Sequence, residues 1–360
     1  MKTILFSMPM QNGENFNDRL NNYKEDLYPG HCLFGAPELE KLGYKIFYSS
    51  PENHLKTNAL SLCMYLLKYT IRIIQDTRSI DLIYSPYPNF LDFIIFLRSI
   101  KIFSKKIIIY QQSTVTKKKG FLGYYIRQKL YYKGVDKLIF LDKKTASDSI
   151  KTGLVTKKQT FVVNWGPDVE QYKRILDKSI KKEGIKDIKF ISTGKDSRDF
   201  NLMFEAFCNL NAKFEFYLTD LDLVGKFKKK YNNINVHYLE ESKDSPQIAL
   251  KATMDSDVSI VICKPTRPTA NGYTALCEAM GLGKPVILTE NPYMPIDVEK
   301  EGFGKTVPVG DIVALRKAIN SFYNDAELVA EYSKNARMYA EKQCNSTILG
   351  NQLDKLIQNL

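Results

Sequence analysis

The sequence predicts an α/β protein with two domains, each built on a parallel, doubly wound sheet, and a helical C-terminal tail. Its 360 residues exceed the size of an average single domain. Short apolar strands alternate with amphipathic helices, as in parallel sheets. The alternation stops in a highly charged stretch and then restarts. We therefore predict an N-terminal domain over 1–172, a linker over 173–187, a C-terminal domain over 188–335, and helices over 336–360 that pack back toward the N-terminal domain.

Apolar runs and helical spacing define the elements of the first half. The predicted strands cover residues 3–6, 44–48, 82–84, 106–110, 137–141 and 160–163. The predicted helices cover residues 35–41, 60–76 and 124–132, and Gly43 ends the first of them.

The same patterns return after the charged stretch. Strands are predicted over 188–192, 214–218, 234–238, 258–263 and 285–288. Helices are predicted over 201–210, 223–231, 248–254 and from about 272 onward, with a helical tail over 325–360.

Composition limits the partners without selecting one. The formal charge of +12 favours nucleotide phosphates, nucleic acid or an acidic membrane surface. Six scattered cysteines without a CxxC pair, and only three histidines, favour a reducing compartment over a disulfide framework or zinc site. The apolar N-terminus is short and interrupted by Pro9, so it predicts a first strand rather than a signal peptide. With no long apolar run, we expect a cytoplasmic protein.

The most informative stretch is residues 271–287, NGYTALCEAMGLGKPVI. It predicts a polar Gly turn, a short helix, a Gly stop and a buried strand. The first backbone N–H groups of such a helix have no partner within it, so they form an anion site. Glu278 lies about one turn further on, among apolar residues. A diphosphate at the helix start and a carboxylate beyond it suit a nucleotide, whose ribose hydroxyls need an acceptor.

The order of several motifs resembles a retaining, family 4-like glycosyltransferase with the GT-B fold (glycosyl transferases group 1). The similar segments are GVDKLIFL at 134–141, FVVNWGPD at 161–168, FISTGKDSRD at 190–199, residues 271–287, and VPVGD at 307–311. Each is weak alone, and their order and spacing carry the resemblance. It implies two Rossmann-like domains facing a central cleft.

The resemblance implies a nucleotide-sugar site in the C-terminal domain. Lys195 and Arg198 take the catalytic role of neutralising the leaving diphosphate, and the alternative is a solvated loop with two cations. Glu278 takes the ribose role, and the alternative is a carboxylate that only favours the helix dipole. The other predicted donor-binding residues are Gly194, Ser197, Asn271, Gly272, Tyr273 and Thr274.

Two departures from the family pattern affect catalysis. Ala270 occupies the position of the first Glu of the E-x7-E motif, and Gln111 occupies that of a His. Gln111, predicted as catalytic, can hydrogen-bond a sugar hydroxyl but cannot act as a base near neutral pH. The remaining groups suit a mechanism in which the leaving phosphate takes the acceptor proton. The predicted acceptor-binding residues are Gly13, His31 and Gln112; for His31, a surface or capping role is the alternative.

Asp220 and Asp222 imitate the D-x-D metal motif of another glycosyltransferase class. Here they follow a strand and begin a helix, so we expect a helix cap. We predict no required metal and no cofactor.

Residues 117–133, KKKGFLGYYIRQKLYYK, mix cations with aromatic rings. This composition fits a helix with solvated lysines, an anionic membrane interface, or stacking on single-stranded nucleic acid. Since no nucleic-acid-binding module is recognisable, we predict no nucleic-acid partner. A peripheral position on the inner face of the cell membrane fits an enzyme that extends lipid-linked glycans.

The sequence thus predicts a hexosyltransferase-type enzyme of polysaccharide biosynthesis, with UDP-sugar favoured and GDP-sugar as the second donor. Its acceptor would be a cell-surface glycan or a lipid-linked acceptor. Ala270 and Gln111 leave open a catalytically weak or inactive nucleotide-sugar-binding partner in a glycan-assembly complex. A GT-B-like epimerase is a third alternative, with few acid and base residues to support it.

Overall fold

The computed structural model of the protein describes residues 2–9, 15–50, 59–76, 79–87, 90–120, 123, 128–178, 187–194, 197–228, 231–240, 242, 244–264 and 267–360, with backbone only for 59–62. The chain forms two compact units. The first unit comprises Met1–Asn21, Leu33–Asn164 and Thr347–Leu360, and the second comprises Asn22–Cys32 and Trp165–Ser346.

The strands are β1 Thr3–Ser7, β2 Lys45–Ser49, β3 Leu82–Ser85, β4 Lys106–Tyr110, β5 Lys137–Phe140, β6 Thr160–Val162, β7 Lys189–Ser192, β8 Lys213–Leu218, β9 Ile234–Tyr238, β10 Val258–Val261, β11 Val286–Thr289 and β12 Gly304–Val307. The helices are α1 Phe16–Lys24, α2 Ala36–Lys41, α3 Ala59–Asp76, α4 Asp92–Ser99, α5 Leu130–Gly134, α6 Lys143–Lys151, α7 Val169–Asp177, α8 Phe200–Phe207, α9 Leu221–Phe227, α10 Ser245–Met254, α11 Tyr273–Gly281, α12 Ile312–Tyr323, α13 Ala326–Gln343 and α14 Ser346–Gln358.

The first unit contains a six-stranded parallel sheet in the order β2-β1-β3-β4-β5-β6. Its central strands are buried on both faces, as expected for a parallel sheet covered by helices. Helices α3, α4 and α6 share one apolar core with these strands, through residues such as Ile73, Ile94 and Ala146.

Helix α14 belongs to the first unit. Its Asp354 accepts a hydrogen bond from Tyr44 Oη at 2.6 Å, and Lys2 Nζ donates to the Ile357 carbonyl at 2.7 Å. Gly350 lies against the Glu38 side chain on α2, where a larger residue would clash. These contacts fix the C-terminal helix on the N-terminal sheet.

The second unit contains a six-stranded parallel sheet in the order β12-β11-β10-β7-β8-β9. Its core is rich in stacked phenylalanines; the Phe207 and Phe214 rings, for example, lie 4.1 Å apart. Read from β9, the order is that of the doubly wound dinucleotide-binding sheet, which reverses between β7 and β10. The predicted α/β class with two Rossmann-like domains and C-terminal helices is confirmed.

The structure differs from the predicted linker at 173–187. Residues 173–177 belong to α7, whose Tyr172 is fully buried in the second unit, and the chain leaves the first unit already after Asn164. The sequence predicted Lys173 and Arg174 as linker residues because both are charged, and in the structure they lie on the exposed side of this helix. Residues 179–186 lie outside the described part.

Several elements were not predicted, namely α1, α4, α6, α7, α12 and β12. Of the predicted helix at 124–132, residues 124–127 lie outside the described part, and α5 covers Leu130–Gly134. Within the described residues, no helix has the length and apolar character that crossing a membrane requires.

Candidate functional site

The second sheet has its topological switch point between β7 and β10, which are paired in parallel. In open α/β sheets, ligands bind at the carboxyl ends of the strands at such a point, because the following helices leave on opposite faces and open a crevice. Two loop segments meet there, one after β7 that includes Gly194 and residues 197–199, and one after β10 that includes residues 262–264 and the residues before α11. The predicted donor residues lie on these loops and on α11.

Arg198 is held between the two loops. It forms an isolated antiparallel bridge with Cys263. Its Nη1 donates to Cys263 Sγ at 3.0 Å, and its Nε donates to the Thr193 carbonyl at 3.3 Å. The Cys263 backbone is itself fixed, since its N–H donates to Thr289 Oγ1 at 2.9 Å. The guanidinium is therefore positioned before any ligand arrives.

Two glycines lie against this guanidinium. A Cβ on Gly194 would lie 2.7 Å from Arg198 Nη2, and one on Gly272 would lie 3.4 Å from Arg198 Nη1 and 2.5 Å from Val261 Cγ1. Both have left-handed backbone angles, with φ of 101° and 89°. Glycine at both positions lets the two loops approach the guanidinium closely.

Helix α11 begins beside Arg198 without a side-chain cap. Its N-cap residue is Gly272, and the Tyr273 N–H donates to the Ala270 carbonyl at 3.1 Å. By contrast, five helices of the second unit begin with an aspartate that accepts backbone N–H bonds: α7, α8, α9, α12 and α13. The start of α11 therefore offers backbone donors to an anion.

Buried polar atoms without partners gather at the same edge of the sheet. Asn271 Nδ2 precedes α11, and Ser192 Oγ ends β7; within the described part of the chain, neither has a hydrogen-bond partner. Burying an unpaired polar group costs about 1–3 kcal/mol, so such atoms are rare unless a ligand or water satisfies them.

Glu278 lies further along α11 and is only partly exposed. Burial raises its pKa from 4.5 to about 7, and the positive charge of Arg198 opposes this rise. The Glu278 charge in turn adds to the burial that holds the pKa of the Tyr172 hydroxyl well above its usual value. The carboxyl thus shares one electrostatic environment with Arg198.

The remaining predicted donor residues differ in their positions. Thr274 is exposed in the first turn of α11. Ser197 has a positive φ of 58° and its carbonyl accepts from the Lys264 N–H at 2.7 Å, which joins the two loops. Tyr273 is buried, and its hydroxyl donates to the Trp165 carbonyl at 2.6 Å. The Tyr273 side chain therefore anchors α11. Lys195 lies outside the described residues.

The predicted acceptor residues are not gathered in one unit. Gln111 and Gln112 follow β4 in the first unit; Gln111 Nε2 donates to the Ser113 carbonyl at 2.8 Å, and Gln112 is exposed. Gly13 lies outside the described residues. His31 differs from the prediction, because the segment Asn22–Cys32 joins the second unit.

His31 is completely buried there, 5.6 Å from the Trp165 ring and 6.4 Å from the Tyr172 ring. Burial lowers its pKa to about 4 despite the opposing charge of Asp168. The segment is held by two bonds of Gln171, one accepted from the Gly30 N–H and one donated to the Tyr28 carbonyl, each at 2.8 Å. A neutral imidazole in this position is a core residue rather than a loop acid or base.

Three contributors were missed by the sequence analysis. Cys263 and Thr289 support Arg198, and Asn291 Nδ2 donates to the Thr269 carbonyl at 2.9 Å and so holds the loop before α11. Their only sequence signal is their place at the end of a buried strand or just after it. Asp220 caps α9, as predicted. In the described part of the chain, no cluster of three or more His, Cys, Asp or Glu residues is placed to hold a metal, and metal independence stays a prediction.

Comparison with known proteins finds a family match in the second unit. Residues 171–339, which lie within the second unit, match the family model of glycosyl transferases group 1. No curated protein sequence matches significantly.

Solved structures resemble the whole chain. HepE from Anabaena, in complex with UDP and glucose, has a TM-score of 0.71 at 15% identity, with 100% of each chain covered. Sucrose-phosphate synthase from Thermosynechococcus elongatus has a TM-score of 0.69 at 13% identity, covering 100% of this chain and 99% of that one. A glycosyltransferase from Rickettsia africae has a TM-score of 0.67 at 14% identity, covering 99% and 98%. At these identities the likeness concerns the fold.

Proposed function

We propose that the chain, which carries a glycosyl transferases group 1 segment at residues 171–339 and has the GT-B fold predicted for it, transfers a sugar from a nucleotide-sugar donor. UDP-sugar is the favoured donor, since HepE was solved with UDP and with UDP-glucose. GDP-sugar is the second choice. The acceptor is a cell-surface or lipid-linked glycan assembled at the cytoplasmic face of the membrane.

The observation that carries this proposal is the placement of Arg198 beside the uncapped start of α11. The donor diphosphate would accept bonds from the guanidinium and from the backbone N–H groups of 274 and 275, a combination typical of phosphate sites. The buried Asn271 amide offers a further donor. Glu278 would accept hydrogen bonds from the ribose hydroxyls.

The chemistry follows from where charge develops. The bond between the sugar C1 and the diphosphate oxygen breaks, a bond between C1 and the acceptor oxygen forms, and the acceptor proton passes to a leaving phosphate oxygen. Arg198 stabilises the charge on the departing diphosphate. Gln111 contributes only hydrogen bonds to a sugar hydroxyl, as does Gln112, because an amide cannot take the proton. This route is retaining and uses no metal.

A second function keeps donor binding and loses turnover. Ala270 provides no carboxylate near the sugar, and Gln111 provides no base. A catalytically weak partner in a glycan-assembly complex would show these same two replacements.

The test measures binding and turnover of UDP-, GDP- and dTDP-sugars with a panel of glycan acceptors. We expect Arg198→Ala to lower kcat about 100-fold or more, as loss of a charge-stabilising donor does, and Arg198→Lys to recover part of it. Glu278→Ala should raise the donor KM. Lys317→Ala, on the exposed side of α12, is the control. Unchanged turnover in Arg198→Ala would refute the phosphate role, and binding without turnover throughout would favour the second function.

A further inference from the structure

The excess positive charge of the protein lies in the first unit alone. This unit has 25 Lys and Arg against 12 Asp and Glu, a formal charge of +13. The second unit has 27 against 28, a formal charge of −1. Residues 101–158 hold 15 of the cations and only three acidic residues. An anionic partner would therefore be attracted to the first unit.

Helix α3 presents an apolar stripe to solvent. Met64, Leu67, Ile71 and Ile74 are 52%, 47%, 54% and 41% exposed. Their spacing of three, four and three residues places them on one helical face. Tyr69 and Ile73 pack into the core on the opposite side. The helix is thus apolar on both its inner and outer faces.

Helix α4 extends the exposed apolar surface. Phe96 is 42% exposed, and Ile100 and Ile102, just after the helix, are 43% and 70% exposed. Because α4 packs against both α3 and α5, these side chains continue the outer side of one helical layer. We call the seven residues on α3 and at α4 the α3–α4 surface.

Cations border this surface. Lys68 and Arg72 are exposed on α3 itself, Lys101 lies between Ile100 and Ile102, and Lys129 and Lys133 are exposed at α5. Asp76 and Asp92 are exposed acidic residues on the same helices. The cations outnumber them. Lys117, Lys118 and Lys119 are also exposed, and the Lys118 N–H donates to Oε1 of Gln128, just before α5.

We propose that the α3–α4 surface binds an anionic lipid bilayer. Apolar side chains that project between basic ones enter the acyl boundary while the cations meet phosphate headgroups. A folded protein partner of opposite charge would satisfy the cations but would have to supply a matching apolar patch; a bilayer supplies both. The proposal does not rest on glycosyl transfer, because it concerns the first unit only.

The test is sedimentation of the full chain with vesicles of phosphatidylcholine, with and without phosphatidylglycerol. We expect binding to the anionic vesicles only, falling as salt is raised. The double variant L67Q/I71Q should bind about tenfold or more weakly, because it removes the apolar anchors. The double variant K68E/R72E should also lose binding. The matched control is L221Q/V313Q, on side chains 62% and 72% exposed in the second unit, which should bind as the wild type does.

Three outcomes would overturn the proposal: no wild-type binding to anionic vesicles at low salt, equal binding to neutral vesicles, or unchanged binding of L67Q/I71Q. A dimer that L67Q/I71Q dissociates, with vesicle binding intact, would assign the surface to a second copy instead. UDP binding measured on the same variants separates this test from the proposed function, since L67Q/I71Q leaves the second unit unaltered. Circular dichroism checks that each variant is folded.

Discussion

Glu278 carries a cost in stability that can be measured. In the folded chain its pKa is raised from 4.5 to about 7 because it is buried, even with Arg198 opposing the rise. The unfolded chain therefore loses this proton near pH 4.5, while the folded chain keeps it until about pH 7. Stability falls as the pH rises through this window, and the whole loss, about 3 kcal/mol, is present above pH 7. Glu278→Gln removes the ionisation and with it the loss.

The assay is urea unfolding followed by Trp165 fluorescence. The chain has one tryptophan, buried in the second unit, so its emission reports on the unit that contains Glu278. Without donor, Glu278→Gln should gain about 1 kcal/mol over the wild type at pH 5 and about 3 kcal/mol at pH 8, apart from a constant difference for amide packing. The tested quantity is therefore the change of about 2 kcal/mol between the two pH values.

The matched control is Glu331→Gln, on the exposed side of α13 in the same unit. Its difference from the wild type should not vary with pH. If the advantage of Glu278→Gln were the same at pH 5 and pH 8, Glu278 would not be desolvated as described. An advantage that grew toward low pH would reverse the sign of the reasoning.

Three further predictions concern donor binding. UDP-glucose, which has no phosphate titrating near neutrality, should bind the wild type about tenfold more weakly at pH 6 than at pH 8 by calorimetry, because Glu278 is largely protonated at pH 6. The same pH dependence of affinity in Glu278→Gln would contradict this. Cys263→Val, which removes the acceptor of the 3.0 Å bond from Arg198, should lower kcat/KM for the donor about tenfold. Cys263→Ser should stay closer to the wild type, and Cys63→Ser, an exposed position on α3, is the control. Equal kcat/KM values for Cys263→Val and the wild type would show that other contacts position Arg198. Gly272→Ala should lose about 1–3 kcal/mol more stability than Gly310→Ala and should also lose donor binding. Both glycines have a positive φ, but only a Cβ at position 272 would clash, with Val261. Equal losses of stability in the two variants would exclude the clash.

The strands were the most predictable part of the fold. β4 begins and ends where the sequence predicted, because a strand buried on both faces appears as an unbroken apolar run between polar turns. β9, at the edge of the second sheet, also has the predicted bounds, and its sequence INVHY alternates apolar and polar residues over its first four positions. Helices with polar or small buried residues were harder. α6 buries Thr145, Ala146 and Ser149, and α7 buries Gln171 with Tyr172. α6 lacks the strong apolar spacing by which a helix is recognised. α7 has it, with Val169, Tyr172, Ile175 and Leu176 at helical spacing, but its charged residues from Lys173 onward were assigned to the predicted linker.

The sequence could predict the candidate site only for residues whose role depends on their position relative to a nearby strand or helix. Arg198 and Gly272 lie in loops that follow buried strands, Glu278 lies on the helix that Gly272 begins, and the strand order brings the three together. Cys263 was not predictable, since its contact with Arg198 joins residues 65 positions apart. His31 was placed in the wrong domain for the same reason: the bonds from residues 28–30 to Gln171 span more than 140 positions. Such pairings depend on tertiary structure and leave no local pattern.

The costs at this edge of the second sheet support a binding role more strongly than any single residue does. A buried carboxyl at Glu278, unpaired buried atoms on Asn271 and Ser192, and a non-glycine residue with positive φ at Ser197 each lower stability. Single departures also occur elsewhere in the unit, since His31 and Tyr172 hold buried polar atoms without a hydrogen-bond partner among the described residues and Asp26 has a positive φ. Five of its helices, however, begin with a capping aspartate, such as Asp199 and Asp311. An aspartate at the start of α11 would place a negative charge beside Arg198, where a diphosphate is proposed to bind. Several such departures at one site, beside an uncapped helix and a fixed guanidinium, are what the proposed nucleotide-sugar would offset: its diphosphate would accept hydrogen bonds from Arg198 and Asn271, and its ribose hydroxyls would donate to Glu278.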